Sequence, residues 1–172
     1  MKLPKTITHG RRLAETEDLL DAFLAEIAGL GAKLGPLLVQ LPPSLALDPG
    51  VAARFFRQLG ERTQAPIACE PRHPSWFTPE ADDLLSAVRA ARVAADPARV
   101  PAAAEPGGWP GLLYHRLHGA PAIYHSAYPE PALAGLAARL AQRLVETWCV
   151  FDNTASGAAA GNALALQGMV GD

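Results

Sequence analysis

Short apolar runs alternate with longer stretches of helical periodicity along the chain. From Arg11 to Leu30, apolar side chains recur every three or four residues, which is the spacing of one buried helix face, and Gly31 follows as a stop signal. A polar residue followed by proline, at Asp48-Pro49 and again at Thr78-Pro79, is typical of a helix start. The pattern predicts helices over residues 11–30, from 49 toward 60, from 79, over 131–144 and from about 157.

Five apolar runs between these helices predict buried β-strands. They are the segments GPLLVQ, APIACE, RVAAD, LLYHRLHG and TWCVFDN, which start at residues 35, 65, 92, 112 and 147. Residues 97–111 are rich in proline and glycine, and this composition predicts a loop in place of a crossover helix. Strands that alternate with helices are typical of a parallel sheet covered by helices. We therefore predict an α/β fold, with residues 1–172 forming a single domain.

Composition narrows the class of protein. With 172 residues, 49% of them hydrophobic and 19% charged, the chain is long and apolar enough to fold around a core. The formal net charge of −2 argues against a strongly basic nucleic-acid binder. No apolar run has the length of a membrane span, and the start, MKLPKTITHG, lacks the apolar region of a secretory signal. Cys69 and Cys149 lie in apolar runs, so we expect buried free thiols and a cytoplasmic protein.

Every predicted strand ends in polar or charged residues. Ligands of parallel α/β folds bind at the carboxyl ends of the strands, so these side chains are predicted to form one site. Side-chain alternation places Arg116 and His118 on one face of their strand, and His115 and Leu117 on the other. The residues at the strand ends are Gln40, Glu70, Arg72, His73, Asp96, Arg116, His118, Asp152 and Asn153.

The residue types at the strand ends suit an anionic ligand. Guanidinium groups match carboxylate or phosphate, and imidazoles donate or accept protons near neutral pH. A carboxylate, Glu70 or Asp96, would supply the complementary base. We therefore predict an enzyme that acts on a phosphorylated or otherwise anionic small molecule, as a hydrolase, a lyase or an isomerase. Catalysis is assigned to Glu70, His73, Asp96 and His118, and substrate binding to Arg72, Arg116, Gln40, His9, Tyr124 and Asn153.

Each of these residues also has a structural interpretation. Glu70 could form a structural salt bridge with Arg72 or Arg116. Tyrosines in the segment IYHSAYPE are more often packing residues than catalysts. His118 could be a core histidine whose hydrogen bonds are satisfied. Asp96 could cap a turn, and His9 could cap the first helix.

A metal centre is the first alternative kind of site. Glu70, Asp96, His118 and Asp152 are of the residue types that bind zinc or hard cations. Neighbouring arginines would compete with a cation for the carboxylates, so no metal ligand is assigned. No glycine-rich dinucleotide fingerprint follows a strand, and the sequence identifies no cofactor.

A nucleic-acid-binding or repair-type barrel is the alternative function. The arginines could contact phosphates, and Trp76 and Trp109, taken as exposed, could stack on bases. The net charge of −2 disfavours this interpretation. No membrane partner is expected.

Five blocks of sequence resemble, in order, those of a known family. They are ITH near the start, LGPLLVQLPPS, CEPRHPSWF, YHRLHG and VFDNTASGAAAGNAL, and together they span nearly the whole chain. The family is the YecE-like family, also named domain of unknown function 72 (DUF72), and EPRHPSW and RLHG are the most specific blocks. The polar positions that match its pattern are His9, Gln40, Glu70, Arg72, His73, Arg116, His118 and Asn153.

The resemblance implies a TIM-type β/α barrel and no established activity. The start, MKLPKTITH, resembles the end of the family's third strand, so the chain would hold the C-terminal five of eight strand–helix units. Five units cannot close an eight-stranded barrel, and an open sheet leaves exposed edges. We therefore expect a truncated product, a wrongly assigned start or a fragment that needs a partner, which would be an oligomer or the missing N-terminal units. An inactive fragment is the alternative.

Overall fold

Two compact units make up the structure, a computed structural model that describes residues 1–142 and 144–171. Unit 1 consists of Met1–Val93 and Gly107–Leu112, and unit 2 of Ala94–Pro106 and the chain from Leu113 onward. The described α-helices and strands, in chain order, are α1 (Glu17–Ile27), β1 (Leu37–Gln40), α2 (Pro49–Arg62), β2 (Ile67–Glu70), α3 (Pro79–Ala87), β3 (Ala90–Arg92), β4 (Ala94–Asp96), β5 (Gly107–Gly108), β6 (Leu112–Leu117), α4 (Glu130–Leu140), β7 (Glu146–Phe151) and α5 (Ala158–Val170).

Unit 1 is built on a sheet with the strand order β1-β2-β3-β5. Strands β1, β2 and β3 are parallel, and the short β5 is antiparallel to β3. The register places Gln40 beside Glu70, so the last residues of β1 and β2 are neighbours. The large side chains Phe55, Phe56 and Trp76 are almost inaccessible, and their burial with the apolar strand residues stabilises this unit.

The predicted starts of α2 and α3 are confirmed by their caps. Oδ1 of Asp48 accepts a hydrogen bond from the backbone N–H of Val51 at 3.0 Å. Oγ1 of Thr78 accepts one from the N–H of Ala81 at 3.3 Å. Each side chain satisfies a donor that the first helical turn leaves unpaired, which is why a polar residue before proline marks these positions.

The prediction of a first helix from residue 11 is wrong for its first turn and a half, because α1 begins only at Glu17. Arg12, Leu13 and Glu15 have φ angles of 50°, 70° and 51°, which an α-helix does not allow. Leu13 is nevertheless only 4% exposed. The apolar spacing therefore predicted correctly that Leu13 is buried, although the backbone at this position is not helical.

Unit 2 contains a sheet with the strand order β4-β6-β7. β4 and β6 are parallel, with Ala95 beside Arg116. Helices α4 and α5 contribute Leu136 and Leu166 to a core that also contains Leu117 of β6. The predicted helix over 131–144 ends at Leu140, and its residue 143 lies outside the described part of the chain.

The third predicted strand, RVAAD, proves to be two strands. The chain forms β3 in the sheet of unit 1, leaves the ladder at Val93, and forms β4 in the sheet of unit 2. One apolar run cannot reveal that its two ends pair with different neighbours. The prediction that residues 97–111 contain no crossover helix is confirmed, since the segment holds only a short 3₁₀ turn over Pro101–Ala104 and β5.

Within residues 1–142 and 144–171, none of the helices combines the length and the apolar character that crossing a bilayer requires.

Candidate functional site

The carboxyl ends of β1 and β2 present the first group of predicted site residues. Glu70 ends β2 and is 2% exposed, and its Oε1 accepts a hydrogen bond from Nη2 of Arg72 at 3.2 Å. Gln40, half-buried, stands beside Glu70 at the end of β1. The ion pair orients the Arg72 guanidinium, whose side chain keeps about a fifth of its surface exposed (21%). We call Gln40, Glu70, Arg72, His73 and His9 the unit 1 cluster.

His73 is held by its own loop. Its backbone is extended, with φ −93° and ψ 139°, as a residue before proline requires. Its Nδ1 accepts a hydrogen bond from the N–H of Ser75 at 3.2 Å and lies 2.9 Å from the Ser75 hydroxyl. In the neutral imidazole the proton therefore sits on Nε2, which becomes the donor that His73 offers to a ligand.

His9 lies in a wide helical turn over Thr6–Gly10, with Nδ1 2.8 Å from Oγ1 of Thr8. It does not cap α1, because that helix begins at Glu17. Burial lowers the pKa of His9, and the positive charges of Lys5, Arg72 and Lys2 lower it further. The electrostatic potential around His9 is thus positive, which favours an anion and disfavours a proton on the imidazole.

Asp152 holds two residues at the end of β6 in unit 2. Its Oδ2 accepts hydrogen bonds from Nη2 of Arg116 at 2.5 Å and from Nδ1 of His118 at 3.0 Å. Arg116 and His118 are buried, whereas the Asp152 side chain is one-third exposed (33%). The predicted alternation of β6 is confirmed, since Leu117 packs instead with the helices of unit 2. We call Asp96, Arg116, His118, Tyr124, Asp152 and Asn153 the unit 2 cluster.

Tyr124 stands over His118. The two rings meet edge to face at 5.9 Å between centroids and 85° between planes. The backbone N–H of Tyr124 donates to the carbonyl of His118 at 2.6 Å, and its φ of 69° turns the chain there. The aromatic side chain is 44% exposed, so it covers one edge of His118 and also faces solvent.

Asp96 contributes to the unit 2 cluster through its backbone. Its carbonyl accepts hydrogen bonds from the N–H of His118 at 2.7 Å and from the hydroxyl of Tyr128 at 3.1 Å. The same hydroxyl accepts from the N–H of Gly119 at 2.9 Å. Burial and the nearby Asp96 raise the pKa of Tyr128, so the phenol stays protonated and ties the ends of β4 and β6 together.

Asn153 is fully buried and anchors the loop that carries Tyr124. Its Nδ2 donates to the carbonyl of Ser126 and to Oδ1 of Asn162, both at 2.9 Å. Its Oδ1 has no hydrogen-bond partner among the residues that the structure describes. The observed contacts make Asn153 a loop anchor, and its predicted contact with substrate stays a prediction.

Comparison with known proteins identifies the family. The sequence profile described as "protein of unknown function DUF72" matches residues 1–172. This chain belongs to the DUF72 family. None of the curated proteins compared with it matches.

Solved structures of DUF72 proteins share the fold. A DUF72 family protein from Thermotoga maritima has a TM-score of 0.78 and 26% sequence identity, over 98% of this chain and 72% of that one. Two structures of a DUF72 protein from Enterococcus faecalis have TM-scores of 0.73 at 23% and 24% identity. These two matches cover 91% of this chain and 66% and 70% of theirs. The resemblance found in the sequence blocks is therefore confirmed.

Asp152 is the residue that sequence reasoning undervalued in this DUF72 protein. The sequence identified it as a strand-end carboxylate of metal-ligand type and gave it no place among the catalytic or binding residues. The available signal was its position just after β7, because β7 is the neighbour of β6, which carries Arg116 and is followed by His118. In the described part of the chain, no group of three or more His, Cys, Asp and Glu side chains is arranged to hold a metal ion.

Two expectations about individual side chains need correction. Trp76 is 1% exposed and its Nε1 donates to the carbonyl of Leu45 at 2.9 Å, so it cannot stack on a base. The expectation of free thiols is confirmed for both cysteines. Only Cys69 is fully buried, however, because Cys149 lies in the half-exposed strand β7.

Proposed function

We propose that this DUF72 protein is an enzyme that uses His118 as an acid–base group on an anionic, phosphate- or carboxylate-bearing small molecule. The observation that carries the proposal is the hydrogen bond from Nδ1 of His118 to Asp152. A buried histidine held by a carboxylate is the arrangement that fixes a general base in one tautomer and orientation. The proposed reaction is a hydrolysis, a lyase step or an isomerisation.

Asp152 would act through His118. Its carboxylate accepts the Nδ1 proton, so the lone pair of the neutral imidazole lies on Nε2, the nitrogen that would exchange a proton with substrate. When the imidazole takes up that proton, the carboxylate stabilises the resulting cation. Arg116 binds the same carboxylate oxygen and restrains the Asp152 side chain.

The unit 1 cluster would by itself bind a small anion. Arg72 offers a partly exposed guanidinium oriented by Glu70, and the charges of Lys5 and Lys2 add to the positive potential at His9. Gln40 and His73 would supply further hydrogen bonds to that anion. In unit 2, taken by itself, Tyr124 would contact a substrate beside His118. Glu70, His73 and Asp96 keep their predicted catalytic assignments as part of this proposal. The assignments of the two clusters are tested by separate variants.

The experiment is a screen of phosphate monoesters, sugar phosphates and small carboxylates, followed by kinetics on any substrate that turns over. We expect His118→Asn to lower kcat about 10²–10⁴-fold, the usual contribution of general acid–base catalysis. Arg72→Ala should weaken the binding of inorganic phosphate to the unit 1 cluster, followed by the NMR signals of His9, because it removes binding charge. Arg99→Ala, an exposed arginine of unit 2, is the matched control and should leave both kcat and phosphate binding unchanged.

Kinetics of the Asp152→Asn variant test whether Asp152 positions His118 for catalysis, apart from any effect of Asp152 on folding. We expect a lower kcat with an altered pH profile, because the amide no longer fixes the tautomer or stabilises the imidazolium. Turnover that His118→Asn and Asp152→Asn both leave intact would disprove the assignment of His118. A screen without turnover, together with no effect of phosphate on the NMR signals of His9, would reject the anion-acting enzyme altogether.

The proposal includes a TIM-type barrel fold and a cytoplasmic location. Parallel pairing of β1–β2–β3 and of β4–β6 is the pairing that a TIM-type β/α barrel uses, and such a barrel would be a single domain. A cytoplasmic location would keep the free cysteines Cys69 and Cys149 reduced. The nucleic-acid alternative loses support, because Trp76 is buried and the net charge is −2.

A further inference from the structure

A cleft of about 560 Å³ lies between α2 and α3 of unit 1, at the amino end of β2. Pro66 and Ile67 line it, whereas the unit 1 cluster stands at the other end of the same strand, at Glu70. The cleft is therefore separate from the unit 1 cluster. Its volume is within the range of small-molecule binding sites.

The wall of the cleft is apolar and its rim carries charge. Phe56, Ile67, Leu84 and Val88 contribute to the wall. The rim carries the cations Arg57 and Arg89 and the anion Glu61, together with the indole of Trp109. The rim charges sum to one positive unit, which suits a ligand with a single negative group.

Trp109 is held in place from two sides. Its ring lies against Gly111 so closely that a Cβ at that position would come within 2.2 Å of the indole, which only glycine avoids. The guanidinium of Arg89 stands 4.9 Å from the ring centroid, a cation–π distance. The indole is thus a fixed aromatic surface at the cleft and not a mobile surface side chain.

The guanidinium groups of Arg57 and Arg89 are available to bind an anion. Within the described residues, neither Arg57 nor Arg89 donates a side-chain hydrogen bond or forms an ion pair, and the indole contact of Arg89 is to a neutral ring. A guanidinium that rests on an aromatic face still presents its N–H groups in its own plane. It can therefore bind a carboxylate while the rest of a ligand lies on the apolar wall beside the indole.

We propose that this cleft is a second binding site, and that it takes a small molecule with a flat aromatic body and one anionic group, such as an aromatic carboxylate. The aromatic body would lie on the apolar wall beside Trp109, and the carboxylate would bind Arg89, with Arg57 nearby. Glu61 would reject ligands with a second negative charge at the rim.

Gly60 provides a variant that blocks the cleft without disturbing the core. It lines the cleft near the end of α2, and a Cβ there would meet no atom within 4 Å. Gly60→Ala should therefore fold at least as well as the natural protein, since alanine favours helix. Gly60→Phe should fold as well and place a ring in the cleft.

The test is calorimetric titration with 2-naphthoate, supported by NMR of the Trp109 indole N–H. We expect binding that Gly60→Ala retains, that Gly60→Phe weakens at least about tenfold, and that Arg89→Gln weakens about tenfold through loss of the charged hydrogen bond. The neutral analogue 2-naphthalenemethanol should bind more weakly than the carboxylate. Inorganic phosphate should not compete, and Arg72→Ala should have no effect, which separates this site from the unit 1 cluster.

Three outcomes would overturn the inference. They are no naphthoate binding at millimolar concentration, equal binding of the alcohol and the carboxylate, and binding that Arg89→Gln leaves unchanged. The last variant decides the matter even if Gly60→Phe does not fold, because Arg89 is an exposed side chain outside the core.

Discussion

Asp152 accepts a hydrogen bond from His118, with Oδ2 3.0 Å from Nδ1, and the same oxygen binds the buried Arg116. Removal of this carboxylate would leave two buried polar side chains without a shared acceptor. We expect Asp152→Ala to lower the free energy of unfolding by about 1–3 kcal/mol. Urea unfolding followed by circular dichroism measures it. Asp83→Ala, an exposed carboxylate of α3, is the control, and equal stability of the two variants would contradict the role given to Asp152.

His9 has a pKa below its usual value of about 6.5, which titration of its imidazole signals by NMR would measure directly. Arg72→Ala should raise that pKa, because one of the positive charges that lower it is removed. Added salt should raise it in part, since salt screens charge and does not change burial. Arg54→Ala is the control and should leave the pKa unchanged. A His9 pKa insensitive to both salt and Arg72→Ala would show that no positive potential exists there.

The lowered pKa of His9 also has a consequence for stability. The folded state binds the proton less tightly than the unfolded state, so folding is favoured by His9 only while the imidazole is neutral. This contribution is fully present above about pH 6.5, the unfolded value, and is lost as the pH falls through the lower folded pKa. Urea midpoints measured from neutral pH downward should fall less steeply in His9→Asn than in the natural protein.

Tyr128 and Tyr124 form a matched pair for hydroxyl deletion. The Tyr128 hydroxyl joins the carbonyl of Asp96 to the N–H of Gly119, so Tyr128→Phe leaves two backbone groups without this partner. We expect it to cost about 1–2 kcal/mol of unfolding free energy. Tyr124 is 44% exposed and contacts His118 through its ring, so Tyr124→Phe should cost almost nothing. The reverse order of the two melting temperatures would refute the assignment of Tyr128 as the tie between β4 and β6.

Gly108 lies in the short strand β5, which pairs antiparallel with β3. Its φ is +64°, and a Cβ there would lie 2.7 Å from the carbonyl of Ala90. Its N–H also donates to Asp82, which holds the buried Arg92 at 2.8 Å. Gly108→Ala should therefore destabilise the protein by roughly 2–3 kcal/mol, from strain and displaced contacts. Gly60→Ala, where the added carbon meets open space, is the control for thermal melting and should be neutral or stabilising.

The two thiols should differ in reactivity. Burial raises the pKa of Cys149 to about 11, and it raises the pKa of the fully buried Cys69 still more. The thiolate is the reactive form, so Ellman's reagent at pH 8 should modify Cys149 slowly and Cys69 only after unfolding. Cys149→Ser should abolish the reaction of the native protein. Rapid reaction of both native thiols would contradict the burial of Cys69.

Local sequence determined most of the elements of this protein. The helix caps at Asp48 and Thr78 depend on contacts within a few residues, and so do the apolar strand runs and the Pro- and Gly-rich segment over 97–111. The sequence alone therefore predicts these elements. The alternation that turns Arg116 and His118 away from Leu117 follows likewise from the backbone geometry of one strand. The sequence blocks were sufficient for the family.

Tertiary structure decided where the chain leaves one sheet for another and which charges meet. RVAAD divides into β3 and β4 because its two ends pair with different strands, and the non-helical backbone of Arg12 and Leu13 buries an apolar side chain that local spacing attributes to a helix. The meeting of Asp152 with His118 joins residues 34 positions apart. Such pairs depend on strand order, which no local pattern encodes, and the direction of each charged side chain follows only once its neighbours are placed.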